Sequence, residues 1–248
     1  MRYLVLADVH ANMEALEACL GHAQARGGYQ HALVLGDIVG YGPDPNEAIA
    51  RVRGLEPAST IRGNHDKVAC GLEQPEGFNA VAKRAALWTF ETLTPPNRSW
   101  LAALAQGPLI VDEQVEICHG SPFDEDAYIF DELDAVRALK ASRRPLCLFG
   151  HTHCPVSFEL SQERVEALGT PGAAATRIAL RAGSKYLINP GSVGQPRDGD
   201  PRAAYAIADT SANVVELYRV DYGIDTTQVK IVKGGLPDVL AQRLAVGR

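Results

Sequence analysis

The stretch Gly63-Asn64-His65-Asp66 follows a short apolar run, residues 58–61, and decides how the rest of the chain is interpreted. The apolar run predicts a buried strand, and the glycine permits a sharp turn because it accepts positive φ. The next three side chains would lie at the carboxyl end of the strand, where open α/β sheets bind ligands. Asn64 offers an oxygen to a metal, His65 a proton near pH 7, and Asp66 a carboxylate to orient that imidazole. On their own, four such residues are more simply explained as a polar turn.

The composition is that of a globular protein without a broad basic surface. The chain has 248 residues, of which 46% are hydrophobic and 22% charged, as expected for one large domain or two small ones. A net charge of −6 argues against broad nonspecific binding to nucleic acid or anionic membranes, although bound cations can reverse a local field. The oligomeric state stays open.

The targeting and redox signals favour a cytoplasmic protein. No apolar run approaches the roughly 20 residues that span a bilayer, and the first apolar run is too short for a signal peptide. The five cysteines are odd in number and form no CxxC pair. Reduced thiols in the cytoplasm are therefore expected.

Apolar runs in the first part of the chain alternate with helical patterns. Residues 2–7, 32–35 and 58–61 are short and apolar, which predicts strands buried on both faces. A helix is expected after each of the first two, beginning at the capping residues Asn12 and Asp44. The other predicted helices are residues 78–93, 97–105, 131–142 and 237–244.

The second half of the chain is dominated by strand patterns that are separated by turns. The strands predicted there are residues 109–111, 114–118, 146–149, 156–160, 164–168, 177–180, 186–188, 204–208 and 214–220. Strands joined first by helices and then by turns favour two sheets packed face to face. We therefore predict a four-layer α/β/β/α sandwich of two mixed sheets with helices outside. The chain shows no internal repeat or linker, so one domain, residues 1–248, is expected.

Five predicted strand ends carry similar polar motifs. These are Asp8-Val9-His10, Gly36-Asp37, Gly63-Asn64-His65-Asp66, His119-Gly120 and Gly150-His151-Thr152-His153. They contain five of the seven histidines of the chain. One such histidine alone would be best explained as structural, but scattered loop histidines would not collect at the ends of buried strands. Together they predict a metal site at the strand ends.

The donor types in these motifs restrict the metal. Aspartate, asparagine and neutral histidine occur there without a thiolate, which suits Mn²⁺, iron, Zn²⁺, Co²⁺ or Ni²⁺ and differs from a cysteine-rich structural zinc site. In an extended segment Asp8 and His10 would point the same way, as would His151 and His153. Each pair is therefore expected to face one metal cluster.

The ordered motifs DxH, GD, GNHD, HG and GHTH resemble those of the calcineurin-like metallophosphoesterase superfamily. An Asn-Pro-Gly-Ser turn at residues 189–192 matches as well, and the segment 189–197 resembles the small bacterial and archaeal phosphodiesterase branch. The resemblance implies two divalent metal ions, with Mn²⁺ or iron favoured and Zn²⁺, Co²⁺ or Ni²⁺ as alternatives. It implies Asp8, His10 and His153 as ligands of one ion, Asn64, His119 and His151 as ligands of the other, and Asp37 as the bridge.

The resemblance also implies a reaction. The expected enzyme hydrolyses phosphodiesters or nucleotide polyphosphates by in-line attack of a metal-bound hydroxide. His65 would assist the leaving group, with Asp66 holding its imidazole. Small phosphoester or nucleotide substrates are the expected partners.

Two other functions compete with this interpretation. A serine/threonine protein phosphatase would carry the pattern GDxVDRG, but residues 36–42 read GDIVGYG and lack its phosphate-binding arginine. A non-catalytic scaffold of the same fold would have lost metal ligands or the catalytic histidine, and this chain keeps all of them. Metal content and hydrolysis of a phosphodiester distinguish the three.

Aromatic side chains in two loops near the expected metals are candidates for substrate binding. Tyr41 follows the expected bridge Asp37, and Phe123 and Tyr128 follow His119. Each could stack on a nucleobase, as aromatic faces do without sequence preference. Each could equally pin its own loop, and for any single one this is the simpler explanation.

Arg197 is the candidate for a direct phosphate contact. It lies in a glycine- and proline-rich loop after a predicted strand, where its guanidinium could bind a phosphate with two parallel hydrogen bonds. The alternative is a surface ion pair with Asp198 or Asp200.

Overall fold

Two six-stranded sheets form the centre of the computed structural model, which describes residues 1–169 and 175–248. The strands are β1 Arg2–Leu6, β2 His31–Val34, β3 Ala58–Thr60, β4 Leu109–Ile110, β5 Val115–Ile117, β6 Leu146–Leu148, β7 Val156–Ser161, β8 Arg164–Leu168, β9 Ala175–Ala179, β10 Lys185–Asn189, β11 Ala203–Asp209 and β12 Val214–Val220. The helices are α1 Met13–Ala25, α2 Pro45–Arg53, α3 Asn64–Cys70, α4 Ala80–Thr92, α5 Pro95–Ala102, α6 Glu132–Ala141, α7 Ile224–Lys233 and α8 Asp238–Leu244.

Both sheets are mixed, as predicted. The strand order of the first sheet is β3-β2-β1-β11-β12-β9, in which β1 is parallel to β2 and antiparallel to β11. The order of the second sheet is β4-β5-β6-β10-β7-β8, in which β6 is parallel to both β5 and β10. The parallel strands are therefore β3, β2 and β1 at one side of the first sheet, and β5, β6 and β10 in the second.

Alternate side chains of β1 enter two different apolar clusters. Val5 lies in the cluster between the two sheets together with Leu148 of β6. Leu6 instead packs with Leu16 of α1 on the outer face of the first sheet. A third cluster joins the outer face of the second sheet to α6. This arrangement confirms the predicted α/β/β/α sandwich.

Backbone hydrogen bonds bring the carboxyl ends of the central strands of both sheets to one edge. The Asp8 carboxylate, just after β1, accepts the backbone N–H of His151, just after β6, at 3.1 Å. The backbone N–H of Gly194, beyond β10, donates to the carbonyl of Asp8 at 2.9 Å. The polar motifs of the sequence therefore meet at one place.

Helix α7 is an element that the sequence analysis missed. It contains threonine, valine and isoleucine, whose branched side chains lose rotamer freedom in a helix, and no side chain caps its N-terminus. Its buried residue Ile231 packs in one cluster with Leu240 of α8 and Tyr41. Tertiary contacts thus stabilise a helix that local propensity does not predict.

The other differences concern boundaries. The pair Pro95-Pro96 begins α5 instead of lying between two helices, because proline fits the first turn of a helix. Helix α3 begins at Asn64, inside the motif itself.

Helices long and apolar enough to cross a membrane are absent from residues 1–169 and 175–248.

Candidate metal centre

The backbone around the centre has an unusual conformation. Five of the predicted metal ligands have left-handed φ values, which residues other than glycine adopt rarely: Asp8 53°, His10 48°, Asp37 51°, His151 70° and His153 59°. The expectation that these motifs are extended is therefore wrong. The side chains converge because the chain turns sharply after each strand. Strain of this kind clusters at functional sites.

Gly63 is needed for a reason other than the predicted one. Its φ is −110° and its ψ −179°, an extended conformation open to any residue. A Cβ atom at this position, however, would overlap the carboxylate of Asp37. That carboxylate accepts the backbone N–H of His65 at 2.8 Å. The glycine therefore allows the GNHD turn to approach Asp37 closely.

Four side chains form the first group of potential metal ligands, with donor atoms that all lie within 4.8 Å of one another: Asp8, His10, Asp37 and His153. The Nδ1–H groups of two of them donate to backbone carbonyls, His10 to Val39 at 3.0 Å and His153 to Gln195 at 2.7 Å. Each Nε2 therefore carries a lone pair, and the two Nε2 atoms face each other at 3.1 Å. Two facing lone pairs repel, and a cation that both can bind would remove the repulsion.

The second group consists of Asp37, His119 and His151, also within 4.8 Å. His119 donates its Nδ1–H to the carbonyl of Leu35 at 2.8 Å, and its Nε2 lies 3.1 Å from Oδ1 of Asn64. This is again a contact between two acceptors. His151 donates through Nε2 to a backbone carbonyl at 3.0 Å, which leaves its Nδ1 as the donor atom for a metal.

Asp37 is the residue that the two groups share. Its Oδ2 lies 3.6 Å from Nε2 of His10 in the first group and 3.6 Å from Nε2 of His119 in the second. A carboxylate can bridge two metal ions through its oxygens. The structure therefore brings all seven sequence-predicted ligands together, in the two sets and around the bridge that the resemblance implies.

Burial sets the protonation of these groups. It lowers the pKa of His10 and His153 well below the usual range, with the nearby charge of Arg197 adding to the effect, and it lowers the pKa of His151 to about 2. Burial raises the pKa of Asp8 to about 7, and it raises that of Asp37 together with repulsion from Asp66. The histidines are thus neutral donors, and the carboxylates lack enough nearby positive charge. Divalent cations would satisfy both, so the residues fit a two-metal centre.

The position of Asp66 differs from the prediction. Its Oδ1 accepts the backbone N–H of Val39 at 3.1 Å, and its Oδ2 accepts that of Gly63 at 3.0 Å. It does not hold the imidazole of His65, whose buried Nδ1 has no hydrogen-bond partner among the described residues. Asp66 instead ties the loop after β2 to the start of α3.

Aromatic rings hold His65 in its place. Its ring centroid lies 4.3 Å from that of Tyr41 and 4.6 Å from that of Phe78. Gly40 gives the ring room, because a Cβ there would contact Nδ1 of His65. His65 is therefore positioned by packing at the edge of the metal groups.

A cavity of about 140 Å³ opens next to the two groups. Its lining residues are Asp37, Tyr41, Asn64, His65, Gly77, Phe78, Asn79, Ala82, Tyr128, His151, His153, Arg197 and Arg243. Of the predicted substrate contacts, Tyr41, Tyr128 and Arg197 line the cavity and Phe123 does not.

The three aromatic candidates have different surroundings. Tyr41 is only 6% exposed, with its ring 4.8 Å from that of His10. Tyr128 is half exposed and stacks on His151 at 3.9 Å between ring centroids. Phe123 packs with the cluster around α6, and Arg137 covers its ring. Phe123 therefore pins its loop, in agreement with the simpler explanation considered above.

Arg197 points into the cavity and forms no surface ion pair with its sequence neighbours. Asp198 pairs with Arg219, and Asp200 pairs with Arg202 at 2.6 Å. The guanidinium of Arg197 lies 5.5 Å from the ring centroid of Tyr41. The alternative of a surface salt bridge to Asp198 or Asp200 is therefore wrong.

Five lining residues were not predicted from the sequence: Gly77, Phe78, Asn79, Ala82 and Arg243. Phe78 and Asn79 precede α4, and Arg243 lies on α8. None of them belongs to a motif at a strand end. The ligands could be found because aspartate, asparagine and histidine recur at strand ends, and these residues carry no such signal.

Comparison with known proteins agrees with this geometry. The sequence model of the calcineurin-like phosphoesterase superfamily domain matches residues 1–213. An uncharacterised protein of Methanocaldococcus jannaschii is 38% identical over 98% of this chain and 97% of its own length.

Two solved structures are similar over the whole chain. A metallophosphoesterase from Sphaerobacter thermophilus is 39% identical with a TM-score of 0.86, covering 100% of this chain and 99% of the other. A hypothetical protein from Pyrococcus horikoshii shares the fold at 20% identity, with a TM-score of 0.79 and coverage of 100% and 98%. The shared fold, the family match and the paired ligand groups lead to one conclusion: the chain belongs to the calcineurin-like phosphoesterase superfamily, a metal-dependent family of hydrolases.

Proposed function

We propose that this protein is a phosphoesterase that uses two divalent metal ions to hydrolyse phosphodiesters or nucleotide polyphosphates. The observation that carries the proposal is the shared carboxylate of Asp37, which belongs to both groups of potential ligands. In the first group it would act with Asp8, His10 and His153. In the second it would act with Asn64, His119 and His151.

When bound, two such ions polarise a phosphate and lower the pKa of a water molecule, which supports in-line displacement at phosphorus. The oxygen- and nitrogen-rich donor set favours Mn²⁺ or iron, with Zn²⁺, Co²⁺ and Ni²⁺ as alternatives.

The protein itself contributes positioning and proton transfer. Arg197 faces the cavity and would bind the phosphate oxygens with its guanidinium. His65 lines the same cavity as a neutral imidazole, because burial lowers its pKa well below the usual range. A neutral imidazole can donate one N–H to the oxygen of the leaving group. Half-exposed Tyr128 stands at the rim, where a nucleobase could stack on it.

The test begins with purified protein whose metal content has been measured. Hydrolysis of bis-p-nitrophenyl phosphate is then followed without added metal and with Mn²⁺, Fe²⁺, Zn²⁺, Co²⁺ or Ni²⁺. We expect turnover that depends on metal, with Asp37→Asn as the variant that abolishes it. A panel of nucleotides and phosphopeptides then separates a nucleotide hydrolase from a protein phosphatase. Protein that holds two ions and hydrolyses none of these substrates would instead be a scaffold.

A further inference from the structure

Two arginines that pair with no aspartate or glutamate of the described residues share the cavity beside the candidate metal centre. Arg197 donates through Nη2 to Oε1 of Gln195 at 2.9 Å, and its buried Nε has no hydrogen-bond partner in the described part of the chain. Arg243 donates through Nε to the main-chain oxygen of Arg248, the last residue of the sequence, at 2.8 Å. In residues 1–169 and 175–248, neither guanidinium lies within ion-pair distance of an aspartate or glutamate.

The charges in the cavity do not balance. Asp37 is the one carboxylate among the described lining residues, whereas both Arg197 and Arg243 contribute positive charge. Two divalent ions would add four positive charges, and their proposed ligand Asp8 would add only one further negative charge. Both guanidiniums line the same cavity, so their charges repel each other; burial and the charge of Arg197 lower the pKa of Arg243. A phosphodiester carries a single negative charge, which is too little to offset this excess.

Tyr41 contacts both Arg197 and the helix that carries Arg243. Arg197 is close to the first ligand group, because its backbone N–H donates to the carbonyl of His153 at 3.2 Å. Tyr41 connects it with Arg243, since the ring packs in one cluster with α8 and lies 5.5 Å from the Arg197 guanidinium. Both arginines therefore line the cavity next to the ligand groups.

Arg243 comes from a part of the chain that lies outside the superfamily match. The superfamily match ends at residue 213, whereas α8 begins at Asp238. Helix α8 is fixed to the rest of the protein by the buried side chains of Leu240, Ala241 and Leu244. An element outside the matched region therefore adds a cation to the cavity.

We propose that Arg243 forms a subsite for a second, non-scissile phosphate group of the substrate, next to the phosphate whose oxygens Arg197 would bind. This inference rests on the proposed function and narrows its substrate class to phosphate esters that carry another phosphate next to the scissile one, such as nucleoside polyphosphates. A guanidinium matches phosphate oxygens with paired, charge-assisted hydrogen bonds. Arg243 is then a residue that determines specificity.

The experiment compares two competitive inhibitors of bis-p-nitrophenyl phosphate hydrolysis, AMP and the non-hydrolysable α,β-methylene-ADP, at a constant concentration of free metal. The wild-type protein should bind the second inhibitor more tightly. Arg243→Gln should reduce the ratio of the two inhibition constants by about 10- to 100-fold, as expected for one charge-assisted contact. Arg243→Lys should show an intermediate ratio, because it keeps the charge and loses the paired geometry.

Arg143→Gln is the matched control. Arg143 is exposed and precedes β6, so it lies at the opposite edge of the sheets, and its loss changes the net charge by the same amount. An equal ratio in the wild type, Arg243→Gln and Arg143→Gln proteins would overturn the proposal. Melting curves and metal content show whether each variant is folded and loaded.

The experiment also separates failure of the subsite from failure of the proposed hydrolase activity. If the wild type holds two metals but hydrolyses no phosphodiester, binding of the two nucleotides is measured by calorimetry instead. A preference for α,β-methylene-ADP that Arg243→Gln removes would then keep the subsite and discard the hydrolase. Hydrolysis without such a preference would support the proposed hydrolase activity and contradict the proposed subsite.

Discussion

Each histidine in the two ligand groups donates one ring N–H to a backbone carbonyl, and this fixes the nitrogen that remains for a metal. His10, His119 and His153 donate through Nδ1, whereas His151 donates through Nε2. Such contacts orient a metal-binding ring and raise its basicity. The donor atoms are therefore arranged by the fold itself, and a metal does not have to reorganise them.

Within the motif at residues 63–66, neighbouring side chains have separable roles that mutation can test. His65→Ala should keep both metals and lose about 10²- to 10⁴-fold in turnover, because a proton donor to the leaving group is removed. Asn64→Ala should weaken metal binding, since Oδ1 of Asn64 faces His119. Metal content by mass spectrometry and turnover of bis-p-nitrophenyl phosphate check both. Loss of metal from His65→Ala protein would contradict this division.

For single residues, the sequence predicted well which ones lie at the site. It predicted less well what each side chain contacts. Asp8, Asp37 and His119 could be found because their chemistry recurs at strand ends. The contacts of Asp66 could not, because a carboxylate next to a histidine in sequence can equally accept backbone N–H groups from a distant loop. Only the position of Val39 in three dimensions decides between these partners.

A loop and a helix cooperate to hold His151. The acceptor for its Nε2–H is the carbonyl of Asp126, and Nζ of Lys67 on α3 contacts Oδ2 of Asp126 at 2.6 Å and Oε1 of Glu125 at 3.2 Å. Lys67 is only 5% exposed, and these carboxylates raise its pKa although burial opposes the effect. Helix α3 thus holds the loop that orients a ligand of the second group.

We expect Lys67→Met to weaken metal binding at the second group by about 10-fold or more, as is typical when a contact behind a ligand is lost. Isothermal titration of metal-free protein with Mn²⁺ should show one site affected and the other retained. Lys83→Met is the control, because Lys83 is exposed on α4. Partial recovery in Lys67→Arg would support a positioning role. Two unchanged sites in folded Lys67→Met protein would contradict it.

Elements with a clear local sequence pattern were predictable, whereas elements stabilised by contacts with distant parts of the chain were not. Strands β1 and β2 and helix α1 follow from local pattern and capping, and their bounds differ from the prediction by about one residue. Helix α7 depends on packing against α8 and the core, which no local pattern encodes. For the same reason Arg243 could not be assigned to the site from the sequence.

Across the whole molecule, the cluster of buried ligands should make stability depend on metal. Chelation leaves facing acceptors and left-handed backbone at several ligands without the compensating cation. At a free metal concentration 100 times the dissociation constant, one bound ion adds about 2.7 kcal/mol. We expect a chelator to lower the free energy of unfolding by about this amount, which is measured as a lower urea midpoint. Added Mn²⁺ should restore the midpoint.

A matched variant separates this effect from a general salt effect. Asp37→Asn weakens the shared bridge, so its urea midpoint should respond much less to the chelator. An equal response in both proteins would show that the chelator acts elsewhere.

The place of β1 in its sheet has a consequence for the time at which the centre can form during synthesis. Arg2 lies opposite Asp209, and the backbone N–H groups of Val193 and Gly194 bind the carbonyls of Ala7 and Asp8. A ribosome adds about 5–20 residues per second, so these partners emerge several seconds after the last ligand, His153. Metal ions are therefore expected to bind only after most of the chain has been synthesised. Before that, the donor atoms are not yet held in place by the fold.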